Sequence, residues 1–306
     1  MYSRSAQSIE RLLIGGFFVK LRRLARRELL AAVGFLAPSL CGFSLFYLIP
    51  FGQSVMNSFQ DRIGGSFTLS NYKELFFSTS FQKAMTNTFW FTTISVPILV
   101  VVSLLLALLL NQRVLIRNWI RTAYVLPLVV PVASIVLVWQ ILFDWNGTLN
   151  AVLQHFGYSR HDWMKSDWAG FVIVLVYVWK NIGYNVILFL AGLQNIPDQY
   201  YEIANLEGAG PIRRLFGITL TYLTPTTFLV VLMSVLNSFK VFRETYLVAG
   251  AYPHDRIYMM QHYMNNMFLS LDIQKVSSAA VLMALCIMVL MLILFRTEQV
   301  FRSYME

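Results

Sequence analysis

Hydrophobic positions along the chain gather into six long stretches, at 29–52, 86–110, 122–143, 169–193, 224–248 and 276–295, separated by connections that carry most of the charge. Crossing the hydrocarbon core of a bilayer takes about 20 predominantly apolar residues in helical form. Each stretch is long enough and carries little charge inside it, so the pattern predicts an all-α membrane protein of six transmembrane helices. Trp90, Trp119, Trp145 and Trp168 fall at stretch edges, where aromatic rings settle at membrane interfaces.

Composition agrees with that pattern. Hydrophobic residues make up 57% of the 306 residues and charged residues only 13%, and the mean hydropathy of +0.60 is outside the range of soluble globular chains. A net charge of +9 could suggest a nucleic-acid partner. The basic residues, however, sit in short runs between apolar stretches and form no basic domain, so no nucleic-acid binding is expected. The heaviest short clusters, Lys20 to Arg27 and Arg113, Arg117 and Arg121, put both termini in the cytoplasm of a cell-membrane protein by the positive-inside rule. The domain boundaries expected are a basic cytoplasmic segment at 1–28, a membrane domain at 29–296 and a cytoplasmic tail at 297–306. No secretory signal is expected at the amino terminus; Ile9, Leu12, Leu13, Phe17, Leu21 and Leu24 recur there at helical spacing, which suits either the membrane surface or a solvated basic tail. Cys41 and Cys286 lie inside apolar stretches and offer no disulfide framework. The four histidines, His155, His161, His254 and His262, fall in external segments without tight spacing or cysteine neighbours, and no metal site is expected.

The connection from Ile196 to Pro225 is too long for a plain turn. Pro197 suits the start of a helix, Asp198 and Glu202 favour its first half through the dipole, and Gly208 can close it in a left-handed cap. Gly210 and Pro211 can then open a second helix whose Arg213 and Arg214 stay wet. In such a hairpin Tyr201, Ala204 and Gly208 share one face, which is expected to dock into a groove on another protein.

These residues resemble the permease subunits of bacterial ATP-binding-cassette importers, in the carbohydrate (multiple-sugar, maltose-type) branch. The resemblance is carried by Gly192-Leu193-Gln194-Asn195-Ile196-Pro197, Tyr201-Glu202-Ile203-Ala204, Gly208-Ala209-Gly210 and Ile218-Thr219-Leu220, and extends through Ser238-Phe239-Lys240-Val241-Phe242 and Ser278-Ala279-Ala280. The family's coupling motif reads Glu-Ala-Ala, three residues, Gly, nine residues, Ile-x-Leu-Pro. Ile203 and Thr221 depart from it. The resemblance implies a type I importer permease fold in which Tyr201, Glu202, Ala204, Gly208, Ala209 and Gly210 couple this chain to a separate ATPase. It also implies the partners: a second permease subunit giving a heterodimer, two copies of the ATPase, and an extracytoplasmic solute-binding protein. The chain has no Gly-x4-Gly-Lys-Ser/Thr phosphate cradle, so no cofactor is expected on it and ATP is left to the partner.

Lys180 lies inside the fourth stretch, where a charge costs on the order of 3 kcal/mol and has to face protein or water. Asn181, Tyr184 and Asn185 extend a polar stripe from it, and Asn237, Ser238, Phe239 and Lys240 supply a second stripe in the fifth stretch. Facing each other, the two would line a pathway with amide and ammonium donors for hydroxyls and aromatic faces for a sugar ring. The structural alternative pairs Lys180 with Glu244 between helices and Lys240 with Glu244 along one helix. The function expected is ATP-driven import of a sugar or oligosaccharide by alternating access. The alternatives are another polar solute such as glycerol phosphate, or an ion-driven transporter. A membrane-embedded enzyme would need convergent reactive groups that the sequence does not supply.

Overall fold

The computed structural model of the chain describes residues 32–61, 65–111 and 130–303, with side chains through Val300. Expectations for the basic amino-terminal segment, for the cluster Arg113 to Arg121 and for the first part of the third apolar stretch lie outside those residues. The described residues are helical apart from connections and one isolated antiparallel bridge, Gln60 to Phe67. Among them, six helical segments are long and apolar enough to cross a membrane.

Two compact units divide the chain between Asn57 and Ser58. In the first, α1 (Ala32–Ser58) runs to the boundary, its last residue falling just beyond it, and widens to a π-helical turn at Ser44–Leu48.

The second unit holds a short α2 (Ser70–Phe77) and then α3 (Thr79–Asn111), which begins seven residues before the apolar stretch does. Helical hydrogen bonding does not stop where the hydrocarbon stops, so polar residues prolong a spanning helix into the interface. The third candidate span is broken into α4 (Val132–Phe143) and α5 (Thr148–His155) around Gly147, where a Cβ would lie 2.4 Å from the Ile141 carbonyl oxygen. The fourth is the continuous α6 (Ala169–Gln194).

A helical hairpin follows, made of α7 (Asp198–Leu206) and α8 (211–222), the latter wound through a π-helical turn at Leu215–Thr219. The fifth candidate span is discontinuous: α9 (Thr224–Ser238) stops, the chain turns through Phe239–Val241, and α10 (Phe242–Ala249) resumes. Short α11 (Met260–Leu269) leads into the long α12 (Ile273–Ser303).

Helices α3 and α6 form the most extensive pair, and α9 packs across both. At the hairpin end, Ala107, Leu110, Phe189, Leu190, Leu193, Leu223 and Val230 make one buried cluster. Toward the opposite end, Phe91, Leu99, Ile173, Tyr177, Val241 and Ile257 make a second. Lipid tails are as apolar as leucine, so close approach and hydrogen bonds hold such helices together. Gly192 supplies the approach: a Cβ there would stand 2.5 Å from Thr226 Oγ1 and 2.8 Å from a Leu223 methyl. The hydrogen bonds tie three helices, with Asn185 Nδ2 donating to Ser234 Oγ at 2.9 Å, Tyr177 OH donating to the Ser234 carbonyl at 2.6 Å, and Thr92 and Ser238 hydroxyls 2.9 Å apart.

Candidate functional site

Two features carry chemistry, the hairpin α7–α8 and a polar cavity at the break between α9 and α10. The hairpin is built as its turn residues dictate. Pro197 stands just before α7, and Gly208 adopts a positive φ of 75°. Its N–H donates to the Asn205 carbonyl at 3.1 Å and the Ala209 N–H reaches back to the Ala204 carbonyl at 2.8 Å. That pair of bonds satisfies the last carbonyls of α7 and fixes the reversal. Gly210 and Pro211 then start α8. Two side-chain ties close the hairpin: Tyr201 and Thr219 hydroxyls 2.9 Å apart, and Arg214 donating to Asn205 Oδ1.

The outward face is not the one expected from spacing. Ala204 is buried, and Tyr201 packs against the cluster at the foot of α6 and α9. Turned outward instead are Glu202, Ile203, Leu206, Ile212 and Phe216, with Leu206 88% and Ile212 74% exposed. Tyr201 and Ala204 turn toward the protein and Tyr201 bonds Thr219 of α8, whereas Gly208, expected on the same face, is exposed at the turn. Gly208 and Gly210 are exposed at the turn and Ala209 is half-buried.

The cavity has a volume of about 490 Å³ and is lined by Tyr177, Lys180 and Asn181 of α6, Asn237 of α9, Lys240 and Val241 of the break, Phe242, Arg243 and Glu244 of α10, and Gln261 and Met264 of α11. Glu244 is buried, and its Oε1 pairs with Lys180 Nζ. Its Oε2 is buried as well, without a hydrogen-bond partner among the described residues. Lys240 makes no pair with Glu244, because it sits in the interruption and the i, i+4 register of a continuous helix is absent there.

Of the residues expected along a pathway, Lys180, Asn181, Asn237 and Lys240 come together at this cavity. Asn181 also donates 2.8 Å to the Tyr177 carbonyl of its own helix. Asn185 and Ser238 are committed to the interhelical bonds described above, and Tyr184 and Phe239 do not line the cavity. Arg243, Gln261 and Met264 were not singled out from sequence. Arg243 could have been, as a second cation three residues after Lys240 in an apolar stretch, whereas Gln261 and Met264 arrive through the fold-back of α11 and leave no local signal.

Behind the cavity wall, buried His262 stacks edge-on against Phe242 with centroids 4.8 Å apart. Its Nδ1 accepts from the Met259 N–H at 3.2 Å, and burial pulls its pKa down to about 4. It is a neutral structural residue. Among the described residues no three His, Cys, Asp or Glu side chains converge on a metal-sized point.

Six apolar helical segments among the described residues, the fifth interrupted beside a charged cavity, define a multi-pass membrane protein of the solute-transport class. Comparison with known proteins takes this further. Residues 100–303 match the family described as binding-protein-dependent transport system inner membrane component. The chain is 33% identical to the arabinooligosaccharides transport system permease protein AraP of Bacillus subtilis (strain 168), over 70% of each chain. It is 31% identical to the sn-glycerol-3-phosphate transport system permease protein UgpA of Yersinia pestis, over 85% of this chain and 90% of that one. In fold it is similar to a chain of a bacterial ABC transporter involved in the import of the acidic polysaccharide alginate, with a TM-score of 0.80 at 20% identity, covering 92% of this chain and 98% of that one. The protein therefore belongs to the inner-membrane permease family of binding-protein-dependent ABC importers, and is a transport component and not an enzyme.

Proposed function

We propose that this chain is one permease half of an ATP-driven importer that moves a sugar or oligosaccharide into the cell by alternating access. The observation that carries the reading is the α7–α8 hairpin, a rigid reversal with an unpartnered apolar outer face at Ile203, Leu206, Ile212 and Phe216. Exposed apolar residues rimmed by polar ones mark protein contact sites. In this reading the hairpin seats in a cytoplasmic ATPase subunit, Glu202 and the Gly208 turn lie at that contact, and nucleotide-driven movement of the ATPase is passed to α6 and α9. A second permease subunit, two ATPase copies and an extracytoplasmic solute-binding protein complete the assembly, with both termini of this chain in the cytoplasm. ATP stays on the partner.

The carbohydrate assignment is supported by the named role of AraP and by a cavity whose amides, Asn181, Asn237 and Gln261, can hydrogen-bond hydroxyls. The named role of UgpA supports a second reading, a phosphorylated polyol. Purification of the tagged chain from native membranes tests the coupling reading. The wild type is expected to bring down an ATPase and a second permease, and Leu206→Asp, a change at a fully outward side chain, should retain the permease pair while reducing recovered ATPase at least about tenfold, as expected for an apolar contact residue given a charge. A wild-type chain that purifies without any ATPase would sink the reading.

A further inference from the structure

We propose that the cavity at the α9–α10 break is an anion-accepting site, so that the solute carried bears an acidic group, a carboxylate, sulfonate or phosphate, on its hydroxylated frame. This deepens the importer reading above and rests on it.

Three cationic side chains line the cavity, Lys180, Lys240 and Arg243, against one carboxylate, Glu244. Glu244 is already bound to Lys180. Among the described residues neither Lys240 nor Arg243 has an ion-pair partner, which leaves two positive charges uncompensated on one wall.

Glu244 already occupies Lys180 from within the chain, and its second oxygen is buried. The arrangement thus offers Lys240 and Arg243 for an acidic substituent and, within the same cavity, three amides for hydroxyls. A neutral sugar would engage the amides alone, whereas the field of Lys240 and Arg243, both exposed side chains, favours an anion.

The test uses the complete importer in lipid nanodiscs, with Cys41→Ser and Cys286→Ser removing the native thiols and a single cysteine placed by Asn237→Cys, or on the facing side by Gln261→Cys. Labelling rates are compared for anionic methanethiosulfonate ethylsulfonate and its cationic ethyltrimethylammonium counterpart, each ratio taken relative to a small free thiol. The expected result is a ratio raised about tenfold or more toward the anion, the size that a few kT of local potential produces, and a collapse of that ratio in Lys240→Gln/Arg243→Gln. A ratio equal to that of the free thiol, or one favouring the cation, overturns the anion site while leaving the importer reading in place. Absence of labelling by either reagent at both positions, with and without ATP, means the cavity is closed to water-borne solutes, and the site falls together with its role as a pathway. Uptake by the same importer of neutral sugars but not of their uronate or phosphate counterparts overturns the solute class even where the ratio holds.

Discussion

Lys180 is the residue whose sequence position posed the sharpest question, since a charge inside an apolar stretch needs a partner or water. It has a partner in Glu244 and keeps partial access, with its side chain 26% exposed against 4% for the carboxylate. Removing one member of such a pair strands the other, whereas replacing both with apolar residues removes the desolvation cost of each. Lys180→Met alone is therefore expected to lower stability by about 2–4 kcal/mol, because it leaves Glu244 buried and unpaired. The double variant Lys180→Met/Glu244→Leu should recover most of that loss, read as thermal unfolding of the purified protein in detergent. Equal losses in single and double variants would show that the pair contributes nothing through charge. The polar residues of the spans also mark a limit of sequence reading. Asn181 and Asn185 sit one helical turn apart on the same stripe, yet the first faces the cavity and the second bonds Ser234. Which neighbour a polar side chain meets is decided by the packing angle of α9, and no local pattern encodes that.

At the scale of elements, the six apolar stretches were legible because lipid imposes length and composition on any spanning helix. The ends were less so, as the early start of α3 at Thr79 and the run of α12 to Ser303 show. The hairpin turn was legible down to Gly208, whose left-handed conformation few other residues adopt cheaply. Its outward face was not, because helical spacing groups residues on a face without saying which side the next helix will cover. The interruption of the fifth span escaped notice for a different reason: neither proline nor glycine marks Phe239–Val241. Gly192 makes the clearest element-level prediction. Gly192→Leu must push apart α6 and α9 where Thr226 and Leu223 already crowd the backbone, and is expected to cost about 1–3 kcal/mol. Gly217→Ala, which opens onto free space, serves as the control. Melting temperatures in the same detergent should fall for the first variant only.

For the whole molecule, the hairpin matters through what lies beneath it. Its foot is the buried cluster that draws on α3, α6 and α9 together, through Ala107, Leu110, Leu193 and Val230. Tyr201 joins that cluster and also ties α7 to Thr219 of α8. Under the proposed function, Tyr201→Phe should leave the ATPase bound and hydrolysing but reduce solute uptake per ATP severalfold, since one hydrogen bond of roughly 1 kcal/mol is lost at the joint and nowhere else. Uptake and hydrolysis measured in the same proteoliposomes would reveal this, and an unchanged ratio would mean that the tie is not in the transmission. The backbone-sealed reversal at Gly208 and Ala209 has a mechanical meaning as well. A loop with a free hinge absorbs a push by bending at its tip; one whose tip is locked by two hydrogen bonds and whose arms are clasped to each other behaves as a crank. Under the proposed function, a force applied at Leu206 would reach the base through that clasp and be shared among three helices at once.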